Sequence, residues 1–250
     1  MTQFLQQLIN GLSLGSIYAL IALGYTMVYG IIKLINFAHG DIYMLGAYIG
    51  FICTAQLGMS FFPALVAAMA VCALIGVVIE RIAYKPLRNA TLITAIGVSY
   101  FLEASTQKVM GTGVKTFPQV LANQKIMIGD VMITTQQIAI FATTIGLMLL
   151  LQFIVRKTKV GRAMRAVSVD ADAARLMGVN VDMTISYTFA IGSALAGAAG
   201  VLVGLYYNSI NPLMGMLPGV KAFIAAVFGG IGIIPGAMFG GFFIGIVETL

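Results

Sequence analysis

Long uncharged runs constrain this chain more than any other feature of its sequence. No Asp, Glu, Lys or Arg occurs in residues 42–79, and a similar run covers residues 183–206. A helix crosses the hydrocarbon core of a bilayer in about 20 apolar residues, so the first run is long enough to cross it twice. The chain has 60% hydrophobic and only 9% charged residues, whereas about a quarter are charged in a globular domain. We therefore predict an all-α polytopic membrane protein.

The apolar runs predict about seven to eight transmembrane helices, with broken or re-entrant segments among them. The predicted spans cover residues 5–30, two spans within 42–79 divided near Gly58 and Pro63, and then 89–109, 131–155, 183–206 and one or two within 218–250. The last run contains GGIGIIPG (229–236), which predicts either one kinked span or a half-helix followed by another crossing. The stretch 111–130 is too polar to lie in lipid.

Two basic segments indicate how the spans are oriented. ERIAYKPLR (80–88) has three basic residues and one acidic residue, and residues 156–182 have six basic and three acidic residues. The positive-inside rule predicts that both segments are cytoplasmic, and the two spans between them then place residues 111–130 outside. The net charge of +6 follows from membrane topology, so no nucleic-acid partner is expected.

A stripe of small residues predicts close helix packing in the span 183–206. Gly192, Ala196, Gly200 and Gly204 recur every fourth residue, and such a face lets two helices approach closely within a membrane. The alternative interpretation is that the stripe lines a substrate path.

Residues 170–178 are predicted to form one short amphipathic helix. Asp170 can accept the free amide hydrogens at its start, and Gly178 can adopt the left-handed conformation that ends a helix. Ala173, Leu176 and Met177 fall at i, i+3 and i+4, which predicts a compact apolar patch. The patch suits either a groove on a partner protein or the surface of the lipid bilayer. The candidate docking residues are Asp170, Asp172, Ala173, Ala174, Arg175, Leu176, Met177 and Gly178.

Asn36, His39 and Asp41 form a second polar group, between the first two predicted spans. Ionisable residues at membrane depth are costly, so they are candidates for function. Three interpretations remain open: a short interfacial loop, the polar lining of a translocation path, or a proton-coupling site. Glu103 is similar, because it can hydrogen-bond within its own span, to Ser99 or Gln107, or hold a partner helix.

Six motifs in this order resemble the branched-chain amino acid ABC transporter permease family, specifically its shorter subunit. They are INFAHGDIYMLGAY (35–48), ERIAYKPLR (80–88), VGRAMRAVS (160–168), DAARLMGVN (172–180), SALAGAAGVL (193–202) and FGGIGIIPGAMFGG (228–241). The resemblance implies one transmembrane permease domain, 1–250, that is not itself catalytic. Asp172-Ala173-Ala174-x-x-x-Gly178 looks like the Glu-Ala-Ala-x-x-x-Gly loop of importer permeases, with Asp172 in place of the commoner Glu.

The resemblance also implies partners and a location. A second related permease would complete the path, and two ATPase subunits, which hold ATP and Mg, would dock on the 170–178 helix of a cytoplasmic coupling loop, 156–182. A periplasmic binding protein would deliver leucine, isoleucine or valine at the bacterial cell inner membrane, and this chain would bind no cofactor. The family usually continues past the point where this chain stops, so we expect its C-terminal end to be missing.

Three alternative functions are compatible with a helical membrane protein. A sugar or urea permease of the same superfamily is the closest alternative, because a fold does not fix its substrate. An ion-coupled secondary transporter would show inverted repeats, and the two halves of this chain are not visibly alike. A membrane-embedded enzyme needs a catalytic group, but no HExxH occurs in the sequence. Cys53 and Cys72 lack the spacing of a metal site, so none is predicted.

Overall fold

A computed structural model describes residues 2–33, 35–87, 90–121, 124–128 and 131–250. The helices are α1 (Thr2–Ile32), α2 (His39–Phe51), α3 (Phe61–Ile79), α4 (Thr91–Met110), α5 (Thr135–Lys157), α6 (Lys159–Val169), α7 (Ala171–Leu176), α8 (Val181–Tyr207), α9 (Met216–Phe228) and α10 (Ile234–Thr249). Two π-helical turns, Ile52–Gln56 and Glu80–Tyr84, continue α2 and α3. Four short strands form two antiparallel pairs: β1 (Lys115–Thr116) with β4 (Ser209–Ile210), and β2 (Lys125–Ile128) with β3 (Val131–Thr134).

The predicted helical membrane fold is confirmed. Among the described residues, four helices are long and apolar enough to cross a bilayer: α1, α3 with its π-turn, α5 and α8. Helices α9 and α10 are shorter, with 13 and 16 residues. Of the two predictions for residues 218–250, the structure therefore agrees with a half-helix followed by a second helix, and not with one kinked span. Gly230 and Gly232, with φ of 87° and 96°, end α9, and Pro235 lies in the first turn of α10, where its missing N–H costs nothing.

Two helix starts differ from the prediction. Helix α5 begins at Thr135 rather than at residue 131, because residues 131–134 pair as strand β3. Thr134 then caps α5: its hydroxyl accepts from the Gln137 amide at 3.3 Å, and the Gln137 side chain accepts from the Thr134 amide at 3.0 Å. Helix α2 begins at His39 rather than at residue 42. The predicted start of the 89–109 span lies outside the described residues.

Helices α1 and α8 form the buried centre of the bundle, and the small-residue stripe of α8 lies at its contacts. Gly192 lies against Gly24 of α1, where an added Cβ would come 3.3 Å from the carbonyl oxygen. Gly200 lies against the backbone of α2, Gly204 lies against the ring of Phe117, and Ala196 is fully buried. Gly200 lets the backbones of α8 and α2 approach more closely than any side chain would allow.

Replacing Gly200 by valine should destabilise the bundle. A Cβ at this position would lie 2.5 Å from the amide nitrogen of Ala47 and would also clash with the Tyr43 carbonyl, so we expect a loss of about 1–3 kcal/mol or more. Gly146→Val in α5 is the matched control, because nothing lies within 4 Å of a Cβ there. Thermal unfolding in detergent should show a lower Tm for the Gly200 variant alone. Equal Tm values for the two variants would contradict this packing.

Polar contacts show which of the loops between helices lie together at each end of the bundle. At one end, β1 pairs with β4, and the Gln6 side chain near the start of α1 donates to the Met132 carbonyl at 2.9 Å. At the other end, Lys85 Nζ lies 2.9 Å from Asp182 Oδ2 and joins the two basic segments. The predicted grouping, with both basic segments opposite the polar stretch 111–130, agrees with these contacts. Arg88 of the first segment lies outside the described residues.

Candidate functional site

Two helices, α2 and α9, begin inside the bundle rather than at its ends. His39, the first residue of α2, lies against Gly24 of α1. Gly24 precedes the end of α1 at Ile32 by eight residues, or about 12 Å along the helix. Gly40 in the first turn of α2 meets the start of α9, where an added Cβ would lie 2.5 Å from the Gly215 carbonyl oxygen. Absence of side chains at both glycines allows this backbone contact.

A cavity of about 260 Å³ opens beside the point where the two helix starts meet. Its polar lining comes from three helices: Tyr25 of α1, Asp41 of α2, and Ser99 and Glu103 of α4. Ser99 Oγ donates a hydrogen bond to Asp41 Oδ2 at 2.5 Å, and Glu103 is close enough to interact with the same carboxyl group. The rest of the lining is mostly apolar or glycine: Phe37, Gly40, Ile96, Tyr100, Gly215, Met216, Gly219 and Val220.

The cavity is lined both by helix starts, which are partly positive, and by carboxyl groups, which can carry a negative charge. Helix starts carry a partial positive charge, because their first amide groups have no partner within the helix. The starts of α2 and α9 both border the cavity, while Asp41 and Glu103 contribute carboxyl groups. A small solute that bears a positive and a negative group, next to an apolar part, matches such a lining.

Of the three polar residues predicted between the first two spans, only Asp41 lines this cavity. Asn36, His39 and Asp41 are 2%, 1% and 3% exposed, so they do not form an exposed interfacial loop. Asn36 instead accepts a hydrogen bond from Tyr84, and the His39 ring packs edge-on to Tyr25 with centroids 4.7 Å apart. His39 and Asp41 are two residues apart in one helix, so their side chains point about 200° apart around its axis.

The sequence interpretation missed some lining residues, such as Tyr25, and it named Ser99 and Glu103 without relating them to Asp41. Tyr25 carried no local signal, since it is one tyrosine in a long apolar span. Ser99 and Glu103 are four residues apart and therefore share one face of α4, a spacing that could have indicated a polar stripe. Their partner is on α2, so Glu103 holds a neighbouring helix rather than only its own span. Gly215 and Gly219 repeat the four-residue spacing of small residues at the start of α9.

The predicted helix ends around residues 170–178 are confirmed. Asp170 Oδ1 accepts the amide hydrogens of Asp172 and Ala173 at 2.9 and 3.0 Å. Gly178 has φ of 83°, and its amide donates to the Arg175 carbonyl at 3.0 Å. The helix is shorter than predicted and is preceded by a separate helix, α6, which Thr158 caps. The first boundary thus follows from the Asp170 side chain and the second from the left-handed backbone of Gly178.

Helix α7 stands out from one end of the bundle. Leu176 and Met177 are 89% and 84% exposed, Val169 is exposed to the same degree, and Ala173 is also exposed. Only Ala174 of the candidate residues is buried. We use the name α7 patch for the exposed group Val169, Ala173, Leu176 and Met177. No contact within the described chain covers this apolar surface, so it is a candidate interaction site.

A bundle of apolar helices, with a partly polar cavity beside two helix starts and a protruding helix at one end, fits a multi-pass membrane transport protein. Comparison with known sequences then identifies it more closely. The chain belongs to the family described as branched-chain amino acid transport system / permease component, whose profile matches residues 7–250.

Relatives of known name support this membership. The chain is 46% identical to the high-affinity branched-chain amino acid transport system permease protein LivH of Escherichia coli strain K12, over 99% of this chain and 85% of LivH. It is 45% identical to the corresponding protein BraD of Pseudomonas aeruginosa, over 98% of this chain and 85% of BraD. The fructose import permease protein FrcC of Rhizobium meliloti is 27% identical, over 59% of this chain and 42% of FrcC. No solved structure matches the chain significantly.

Proposed function

We propose that this chain is the shorter permease subunit of an ATP-binding-cassette importer that carries branched-chain amino acids across a bacterial cell inner membrane. The observation that carries the proposal is the identity of about 46% with LivH along almost the whole chain. A second related permease would complete the path, and a periplasmic binding protein would deliver the substrate. Two ATPase subunits would bind ATP and Mg, and this chain would bind neither.

The α7 patch is the proposed docking site for an ATPase subunit. It is apolar and exposed, as a surface that docks into a groove on a partner would be. Asp170 to Gly178 would form the coupling helix, with Asp172 and Arg175 paired at 3.6 Å on the exposed side of α7. The end of the bundle that bears α7 would face the cytoplasm, because both basic segments lie there.

The cavity is the proposed part of the translocation path that belongs to this subunit. The ammonium group of an amino acid would approach Asp41 and Glu103, since opposite charges attract strongly where water is scarce. Its carboxylate would lie near the starts of α2 and α9, as anions do at the starts of broken membrane helices. Ile96, Met216 and Val220 offer apolar surface to a branched side chain. Asn36 and His39 would hold the start of α2 in place.

A sugar permease remains the second candidate, because FrcC is a relative. Its lower identity and its match to only part of this chain favour an amino acid over a sugar. The carboxyl groups in the cavity also suit a cationic group better than a neutral sugar.

Reconstitution tests this proposal. The chain should be placed in proteoliposomes with a candidate second permease, candidate ATPase subunits and a candidate binding protein. We expect uptake of leucine, isoleucine and valine that requires both internal ATP and the binding protein. Uptake of fructose or urea in place of the amino acids would contradict the substrate. Uptake driven by an ion gradient without ATP would contradict the class of transporter.

A further inference from the structure

A row of polar contacts joins the loop that carries α7 to the start of α2. Ser186 Oγ donates to Glu80 Oε2 at 2.7 Å. Tyr84 Oη donates to Asn36 Oδ1 at 2.6 Å, and the third contact is the ion pair between Lys85 and Asp182. We call this set the polar bridge; its members are Asn36, Glu80, Tyr84, Lys85, Asp182 and Ser186.

One side of the polar bridge lies on the first turns of α8. Asp182, Ser186 and Phe189 are spaced by four and three residues, so they share one face of that helix. Phe189 adds an aromatic contact, with its ring centroid 5.3 Å from that of Tyr84. Helix α8 begins at Val181, three residues after Gly178. The π-turn Glu80–Tyr84 is therefore fixed to the part of α8 that follows α7 directly.

The other side of the polar bridge reaches the cavity. Asn36 lies in the connection between α1 and α2, three residues before the start of α2 and five before Asp41. Both Tyr84 and Asn36 are almost fully buried. Their hydrogen bond thus connects the π-turn to the helix start that lines the cavity.

Two features of the polar bridge are unexpected for a purely structural contact. Glu80 is only 1% exposed, and a buried carboxylate is so costly that apolar replacements are often neutral or stabilising. The backbone around it forms a π-turn, closed by the Lys85 amide donating to the Glu80 carbonyl at 2.7 Å. Such turns are rare and occur frequently at functional sites. Packing of α3 on α8 requires neither feature.

We propose that the polar bridge transmits the displacement of α7 to the start of α2. A movement that an ATPase subunit imposes on α7 would shift the first turns of α8, and with them the π-turn, Asn36 and Asp41. This inference rests on the proposed function, in which α7 docks an ATPase. The bridge residues act as positioning residues, because they transmit the movement without contacting ATP or lining the cavity.

The test removes one hydroxyl group from the polar bridge. Tyr84→Phe keeps the ring beside Phe189 but loses the hydrogen bond to Asn36. Tyr48→Phe is the matched control, because the buried Tyr48 hydroxyl has no hydrogen-bond partner among the described residues. In reconstituted complexes we measure the ATP hydrolysed for each leucine taken up. Networks of this kind change coupling by roughly 2- to 30-fold, so we expect the ratio to rise by that factor for Tyr84→Phe and to stay unchanged for Tyr48→Phe.

Further variants separate coupling from folding. Ser186→Ala should raise the ratio in the same way, and it carries the test if Tyr84→Phe does not assemble. Glu80→Gln should keep the parental ratio, because an amide oxygen still accepts from Ser186, whereas Glu80→Leu should raise it. Equal ratios for Tyr84→Phe, Ser186→Ala and Tyr48→Phe in assembled complexes would overturn the proposal. Failure of the proposed function is distinct, since the unmodified complex would then not take up leucine.

Discussion

Replacing Ala173 by glutamate should separate the ATPase subunits from the permease. Ala173 is an exposed member of the α7 patch. A longer side chain there would clash with a groove shaped for a methyl group and would bury a charge without a partner. An unpaired buried charge costs about 3–5 kcal/mol, so binding should weaken on the order of 100-fold or more. Co-purification of the ATPase subunits and ATP hydrolysis stimulated by transport are the two measurements.

A glutamate at Arg162 is the control for this substitution. Arg162 is an exposed residue of α6, where water or lipid headgroups can solvate either charge. We expect its ATPase subunits to co-purify almost as in the parent. If the Ala173 variant keeps both co-purification and ATP hydrolysis at the parental level, α7 is only a surface helix and the coupling assignment is wrong.

Uptake should fall roughly 10- to 100-fold when Asp41 is replaced by alanine, while the complex still assembles. The Asp41 carboxylate is the group that Ser99 orients toward the cavity, and a hydrogen bond to a charged group is worth about 1.5–3 kcal/mol. Loss of this group removes the attraction for the ammonium end of the substrate. Initial uptake rates at several leucine concentrations, together with the amount of assembled complex, measure the effect.

Thr54→Ala provides the comparison within the same segment of chain. Thr54 is buried in the π-turn after α2, and its hydroxyl donates to the Gly50 carbonyl of its own helix at 2.8 Å. It does not line the cavity, so uptake should stay near the parental rate. A loss of assembled complex for Asp41→Ala, with uptake per complex unchanged, would show that Asp41 serves packing instead.

The sequence predicted features that depend on neighbouring residues and missed those that depend on distant ones. Asp170 and Gly178 fix the ends of α7 through contacts within three residues, so their pattern was sufficient. The cavity unites Tyr25, Asp41 and Glu103 from three helices, and no local pattern relates these positions. Asn36 shows the same limit, because its partner Tyr84 is 48 residues away. The family resemblance implied a permease domain, but it did not indicate that α2 and α9 begin inside the bundle.

Helices α2 and α9 contact each other through main-chain atoms. This kind of contact determines how fast a passage between them could open. Gly40 and Gly215 touch through backbone atoms, with no side chain between them. Side chains rotate in picoseconds to nanoseconds, whereas whole helices shift in microseconds to milliseconds. A passage closed only by side chains would open repeatedly through thermal rotation of those side chains, and small solutes would leak through it. A passage closed by two helix backbones stays shut until an entire helix moves. In the proposed importer, helix movements driven by the ATPase subunits, rather than random side-chain rotation, would therefore set the rate of permeation.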